Sequence, residues 1–315
     1  MNVRVKGTIA ALSSALFLGM APVFGRQAMN LGIPPLAVVA VRTILAALLL
    51  LLIILVFKRQ YLFIYPAGLL GCLLAGWING LGSLFYYSAI GRIGAGLGQL
   101  LYSLYPVFVV FWLFLDRQTP SRLTLVRIAL AIPAIILLVQ TNGSSVNLTG
   151  VIQMLIASAL YALHIPINQR VLYDMPPPTV TLYTLLAMSA ITVPVLFFSN
   201  PTDLWTLSLG WLPVIGLTIV TFLSRLTLFM GVKNIGGMQT ALLGLGELLV
   251  TMVMAHFWLG ERLTALQWTG AAFLAISLVM IGLEKPAQRK SGTGGLLGWL
   301  GHPSISSDIP WQPHD

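Results

Sequence analysis

The side chains best suited to chemistry in this sequence are an arginine and a glutamate inside long apolar stretches. Arg225 and Glu247 lie in two consecutive stretches. If both stretches are membrane-spanning helices, the two depths differ by about six residues, or ~9 Å. An ionisable group at membrane depth costs roughly 2.5 to 3.5 kcal/mol on insertion scales, so it usually faces a partner or a wet cavity. The two residues therefore predict either a structural ion pair between helices or a site for a zwitterion such as an amino acid, with Arg225 on its carboxylate and Glu247 on its ammonium group.

Hydrogen-bonding and aromatic side chains supply the rest of a candidate substrate-binding cavity. They recur at helical spacing in three other apolar stretches, and the predicted residues are Asn79, Tyr86, Gln99, Tyr102, Tyr161, His164 and Asn168. Aromatic walls with a few hydrogen-bonding groups are typical of small-molecule pockets. Each residue alone is also compatible with packing, since tyrosine is common at membrane interfaces. His164 could relay a proton, or it could be satisfied by a neighbouring helix.

Enzymatic chemistry is not indicated by any motif. The sequence contains no His-Glu-x-x-His, Gly-x-Ser-x-Gly or phosphate-loop pattern. A multi-cysteine metal site is excluded because Cys72 is the single cysteine. We therefore predict no catalytic residue, no metal ligand and no cofactor. A polytopic membrane enzyme is the first alternative function. The second is a channel or a scaffold protein, which would need a repeated filter sequence or a large soluble domain.

The composition places these side chains in a membrane protein. Of the 315 residues, 57% are hydrophobic and 8% are charged, whereas soluble domains are roughly a quarter charged. The net charge of +9 does not indicate nucleic-acid binding, because the basic residues lie singly or in pairs and form no stripe. The expected partners are the lipid bilayer and a small-molecule substrate, and the oligomeric state stays open.

Apolar segments divided by turn-forming residues predict ten transmembrane helices. They are expected at 7–26, 36–57, 66–90, 94–115, 121–140, 149–171, 179–198, 210–232, 236–259 and 263–283. In the third segment, Gly76 and Gly80 form a small-xxx-small pattern, which serves either packing within the monomer or an oligomer interface.

An internal repeat divides these helices into two sets of five. Pro22 and Arg26 in the first helix match Pro166 and Arg170 in the sixth, with both pairs 144 residues apart. Because five is odd, the second copy must enter the membrane from the opposite side, which predicts an all-α fold of two inverted repeats. Pro22 and Pro166 could then be hinges for alternating access, or they could be static kinks.

The repeat also sets the expected domain boundaries. Ile93-Gly94-Ala95 matches Ile235-Gly236-Gly237, and each triplet begins a helix after a minimal turn. We predict a first repeat at 1–143, a second at 144–284, and a disordered cytosolic tail at 285–315, which is rich in Gly, Ser, Pro and basic residues.

The distribution of basic residues predicts the orientation in the membrane. With the N-terminus in the cytosol, eleven of the seventeen lysines and arginines lie on the cytosolic side, as the positive-inside rule requires. We expect a multi-pass protein of the cell (plasma) membrane with both termini in the cytoplasm.

Three motifs resemble the EamA-like branch of the drug/metabolite transporter superfamily. They are Gly32-Ile33-Pro34-Pro35-Leu36-Ala37 followed by Arg42, Leu104-Tyr105-Pro106-Val107-Phe108-Val109, and Trp258-Leu259-Gly260-Glu261-Arg262-Leu263-Thr264 followed by Gly270. Two departures stand out, since Asp116-Arg117-Gln118 replaces an expected Gly-Glu-Arg turn and Leu248 stands where a proline often follows the acid. The resemblance implies a ten-helix carrier of small metabolites, often amino acids, with its cavity between the repeats. We expect an exporter that works by alternating access.

Overall fold

The structure, a computed structural model, is a bundle of helices. It describes residues 3–116, 147–198 and 211–259, together with short stretches between 120 and 133 and between 269 and 276. Over these residues the chain forms helices and no strands. The helices are α1 (Val3–Asn30), α2 (Pro35–Phe57), α3 (Pro66–Ile93), α4 (Ala95–Tyr102), α5 (Tyr105–Leu115), α6 (Leu148–Leu172), α7 (Pro177–Phe198), α8 (Trp211–Ile235), α9 (Gly237–Gly244) and α10 (Gly246–Leu259). A 3₁₀ turn, Arg59–Leu62, lies between α2 and α3.

Helix length and hydropathy are those of a protein that crosses a membrane several times. Within the described residues, seven spans are long and apolar enough to do so: α1, α2, α3, α6, α7, α8, and α9 combined with α10. The predicted helices at 121–140 and 263–283 lie largely outside the described residues, as does the tail at 285–315. The count of ten helices and the domain boundaries therefore stay predictions.

Much of the outer surface of the bundle is apolar, whereas several charged side chains lie in its interior. Large hydrophobic side chains such as Leu52, Phe57 and Leu212 are exposed, whereas Arg225 and Glu247 are buried. A water-soluble protein rarely exposes so much apolar surface, but a bilayer accommodates it. The chain is therefore a multi-pass membrane protein.

The prediction of one continuous helix at 94–115 is wrong, because the chain turns between α4 and α5. Ser103 and Leu104 have ψ angles of −3° and −9°, and the Leu104 N–H donates to the Leu101 carbonyl at 3.2 Å. Pro106 follows in the first turn of α5, where its missing N–H is tolerated. The ladder of α-helical hydrogen bonds is thus interrupted by a tight 3₁₀-like turn.

The segment predicted at 236–259 forms one span, but its helix is interrupted in the same way. α9 ends at Gly244 and α10 begins at Gly246, with Leu245 at φ −55° and ψ −20° between them. The Leu245 N–H donates to the Leu242 carbonyl and the Leu248 N–H to the Leu245 carbonyl. The flanking glycines weaken the helix at this point, so the interruption needs no proline.

The repeated Ile-Gly motif marks the start of each interrupted segment. Gly94 and Gly236 have φ angles of 81° and 87° and occupy the residues before α4 and α9. Positive φ favours glycine, since a side chain would clash with the backbone there. The same local requirement explains why both halves of the chain carry glycine at this turn.

Two antiparallel helix pairs form much of the packed interior. α1 lies along α8, and α3 lies along α6. The close approaches that define their directions are Gly7 with Ile235, Ser14 with Ser224, Gly82 with Leu160, and Gly150 with Ile93. In each pair, residue numbers rise along one helix as they fall along the other.

The glycines of α3 bring it close to α7. A Cβ added to Gly76 would lie 2.5 Å from the Ala187 Cβ and 2.6 Å from the Thr184 carbonyl oxygen. A Cβ added to Gly80 would lie 3.1 Å from the Met188 carbonyl oxygen. These glycines therefore serve packing within the monomer.

Candidate functional site

A cavity inside the bundle collects most of the side chains selected from the sequence. It is lined by residues of α1, α2, α3, α4, α6, α8 and α10. The space that the centre of a water molecule can occupy inside it measures about 40 Å³. That volume leaves room for roughly three waters. The predicted residues on its wall are Asn79, Tyr86, Gln99, Tyr102, Tyr161, Arg225 and Glu247.

Arg225 of α8 is held by neutral groups. Its Nη2 donates to Asn79 Oδ1 at 3.4 Å, its Nη1 lies 3.4 Å from His164 Nε2, and its Cζ lies 5.3 Å from the centre of the Tyr161 ring. These contacts fix the direction of the guanidinium without neutralising it. The charge of Arg225 therefore remains available to a bound anion.

His164 lies behind the cavity wall and orients Arg225. A guanidinium can only donate, so His164 Nε2 must accept, and the proton must be on Nδ1, which faces the Tyr161 carbonyl. This tautomer satisfies both ring nitrogens. Of the two interpretations of His164, the geometry favours a histidine satisfied by its neighbours over a proton relay.

Asn168 is one helical turn further along α6 and does not line the cavity. Its Nδ2 donates to the His164 carbonyl at 3.0 Å, and its Oδ1 accepts from Thr184 Oγ1 at 3.1 Å. These bonds connect α6 to α7, so in this structure Asn168 ties two helices together.

Glu247 is almost completely buried and incompletely satisfied. It lies in the first turn of α10, directly after the break at Leu245, where the helix dipole favours a carboxylate. Gln99 lies beside the carboxyl group, but Glu247 Oε1 has no hydrogen-bond partner. No ion pair joins it to Arg225 in the described part of the chain. The structural ion pair, one of the two sequence interpretations, is therefore wrong for this structure.

Arg42 of α2 is a cavity residue that the sequence reasoning did not select. Its Nη1 donates to Thr221 Oγ1 at 3.1 Å and its Nη2 to Ser83 Oγ at 3.4 Å, while its Cζ lies 4.7 Å from the centre of the Tyr87 ring. Its Nε has no partner. The insertion cost that singled out Arg225 applies equally to Arg42, so the same signal could have found it.

Tyrosines form one wall of the cavity. The ring of Tyr102 lies 4.7 Å from that of Tyr86, 5.2 Å from that of Tyr161 and 5.8 Å from that of Tyr105, measured between centroids. Tyr86 Oη donates to Gln99 Oε1 at 2.6 Å, which leaves the Gln99 amide nitrogen to face other groups. Such a wall offers both apolar surface and hydroxyl groups to a small solute.

The two interrupted segments meet beside this wall. Tyr105, the first residue of α5, donates from its hydroxyl to the Ala241 carbonyl of α9 at 3.0 Å. A Cβ on Gly244 would meet the same hydroxyl. The breaks therefore bring Gln99 and Glu247, from opposite halves of the sequence, to one place.

The repeated arginines of the Pro-x-x-x-Arg motif lie away from the cavity and tie helices together. Arg170 binds Asp116 Oδ2 through Nη2 at 2.8 Å and Nε at 3.0 Å, which joins α6 to the end of α5. Arg26 donates to the Ile90 carbonyl at 3.4 Å, which joins α1 to α3. Pro22 and Pro166 both lie inside continuous helices, and their role as hinges stays a prediction.

One family model matches most of the chain, in two consecutive copies. The model of the EamA-like transporter family matches residues 5–140 and again residues 148–283. The chain belongs to the EamA-like transporter family. The resemblance drawn from the three motifs is thereby confirmed.

Relatives of this EamA-like transporter agree with the assignment. The uncharacterized transporter YcbK of Bacillus subtilis (strain 168) is 23% identical over 300 residues, covering 91% of this chain and 95% of that protein. A solved structure described as a crystal structure of protein is similar in fold, with a TM-score of 0.72, 15% identity, and coverage of 89% of this chain and 96% of that chain.

Both family matches of this EamA-like transporter contribute to the cavity. Arg42, Asn79 and Gln99 lie in the first match, while Arg225 and Glu247 lie in the second. The candidate site is therefore formed by residues from both matches. Within the residues that the structure describes, no three histidine, cysteine or acidic side chains group as metal ligands.

Proposed function

We propose that this protein exports a small metabolite of the amino acid type across the plasma membrane, by alternating access to the cavity between its two halves. Membership of a transporter family supports transport over catalysis. The observation that carries the proposal is a buried cavity lined by charged groups from both family matches. Charged side chains at such depth are retained mainly where they act on a substrate or ion.

The two halves are proposed to be inverted five-helix repeats. The α1–α8 pair and the α3–α6 pair would exchange under a two-fold axis relating the halves, and both pairs are antiparallel. Interrupted helices at corresponding places, α4–α5 and α9–α10, support the same relation, since paired interruptions mark the sites of carriers built in this way.

The polar groups of the cavity support a zwitterionic substrate. The guanidinium of Arg225 suits a carboxylate and the carboxyl group of Glu247 suits an ammonium group. Because the two side chains do not pair with each other, each can bind a different end of one solute. Tyr86, Tyr102 and Tyr161 would enclose its apolar part.

Flux measured in liposomes with purified protein tests this function. We expect saturable uptake of an amino acid that is accelerated by unlabelled amino acid on the opposite side. Arg225→Ala and Glu247→Ala should each reduce that flux by about tenfold or more, since each removes a charge-assisted hydrogen bond. The double variant should not show the sum of the two effects, because both side chains bind the same solute. Arg59→Ala, at an exposed arginine outside the cavity, is the matched control.

The same assay separates the alternatives. Unsaturable, channel-like conductance would contradict a carrier mechanism. Wild-type flux in both single variants would remove Arg225 and Glu247 from the site. Turnover of a lipid by the purified protein, lost on changing Glu247 or His164, would instead indicate a membrane enzyme.

A further inference from the structure

The charged groups of the cavity do not balance. Arg42 and Arg225 both line it, with 6% and 5% of their surfaces exposed, and they are close enough to repel each other. Glu247 is the only acidic side chain on the described cavity wall. The lining therefore carries two cationic groups and one anionic group.

The protein does not supply the missing counter-charge in the part of the chain that the structure describes. In that part of the chain, neither guanidinium has a carboxylate within 4 Å. The hydrogen bonds of both go to neutral groups. Asp116 is engaged by Arg170, and Asp174 lies near Tyr65. Burying a charge without a compensating partner is costly, so an anionic ligand would be strongly favoured at this place.

Arg42 adds an unused donor. Its Nε is buried and has no hydrogen-bond partner, although Nη1 and Nη2 are engaged by Thr221 and Ser83. A guanidinium presents its N–H groups as a planar fork that matches a carboxylate. The acidic group of the cavity is in the same situation, because Glu247 Oε1 is buried and also lacks a hydrogen-bond partner.

We propose that the substrate is a compact amino dicarboxylate, whose two carboxylates bind Arg42 and Arg225 and whose ammonium group binds Glu247. This inference rests on the proposed transport function and specifies its substrate class. Two carboxylates and one ammonium group complement two guanidiniums and one carboxylate, so the occupied cavity is neutral.

Isosteric amino acids test the inference without a large change in size. Asparagine has an amide where aspartate has its side-chain carboxylate, and glutamine differs from glutamate in the same way. In liposomes containing the wild-type protein, we expect the flux of the acidic member of each pair to exceed that of its amide by about tenfold or more, because a carboxylate forms an ion pair with a guanidinium and a neutral amide does not.

Variants of the three charged residues show which residue binds which group of the substrate. Arg42→Gln should reduce the flux of aspartate to about that of asparagine, whereas Arg42→Lys should retain a preference for aspartate. Glu247→Gln should raise the flux of succinate, which lacks the ammonium group, relative to the flux of aspartate. Arg59→Gln should keep the wild-type selectivity. Monodisperse elution of each variant in detergent shows that it has folded.

The outcomes separate the inference from the function beneath it. Saturable flux of neutral amino acids without preference for their acidic isosteres would overturn the inference and leave a transporter. Wild-type selectivity in folded Arg42→Gln would overturn the role of Arg42. Absence of saturable flux for every amino acid tested would contradict the proposed function itself.

Discussion

At the residue scale, the main feature of the site is that Arg225 contacts neutral side chains and forms no ion pair with Glu247. Its side-chain contacts include Asn79 and His164, whereas the acidic Glu247 lies beside Gln99. A neutral scaffold around a buried cation positions it while leaving its charge for a ligand. His164 thus positions Arg225, and in the proposed function it would act on the substrate through that arginine.

The positioning role of His164 predicts the effect of two substitutions. His164→Gln should retain most of the flux and an unchanged pH profile, since an amide oxygen can still accept from Arg225. His164→Phe should raise the KM for the substrate several-fold, because it removes that acceptor. Flux measured at a series of pH values checks both. A flattened pH profile in His164→Gln would instead indicate the proton relay.

At the element scale, short-range geometry decides where the helices break and how closely they pack. The breaks at Ser103–Leu104 and at Leu245 place Gln99 and Glu247 at one cavity. The glycine face of α3 allows α7 to approach within van der Waals distance of the backbone. Both features concern main-chain contacts, which the apolar pattern of the sequence does not reveal.

The packing of α3 on α7 predicts that substitutions of two glycines of the same helix differ in their effect on stability. Gly76→Ala should lower the free energy of unfolding by about 1 to 3 kcal/mol, because the new Cβ meets Ala187 and the Thr184 carbonyl. Gly91→Ala is the matched control, since its Cβ would lie 3.6 Å from Pro35 Cγ, an ordinary contact. Thermal unfolding of the purified variants measures the difference. Equal stability of the two variants would contradict the close approach.

At the scale of the whole molecule, the sequence predicted the membrane class, the family and the doubled pattern. Low charge and repeated apolar segments indicate the membrane directly, because the bilayer constrains composition strongly. The insertion cost identified Arg225 and Glu247, and applying it to Arg42 would have found the second guanidinium.

The rest could not be predicted, because it depends on contacts between distant residues. Whether Arg225 meets Glu247 or His164 is decided by the relative placement of α6, α8 and α10. The interruption at Leu245 has no proline to announce it. The exclusion of Asn168 from the cavity follows from its bond to Thr184 on α7, which helical spacing alone does not show.

In the proposed transport cycle, one cavity opens in turn to each side of the membrane. Ala21 lies on its wall, and Cys72 is the only cysteine of the chain. A cysteine at position 21 in a Cys72→Ala background can therefore be labelled by an impermeant thiol reagent from either side of sealed vesicles. Gln60→Cys and Asn200→Cys report the two sides, since the predicted topology places them in opposite compartments.

We expect Ala21→Cys to be labelled from both sides, and transported amino acid to slow both reactions. Gln60→Cys should be labelled from the cytosolic side only and Asn200→Cys from the outer side only. Labelling of Ala21→Cys from one side under every condition would contradict alternating access, and so would labelling of positions 60 and 200 from the same side.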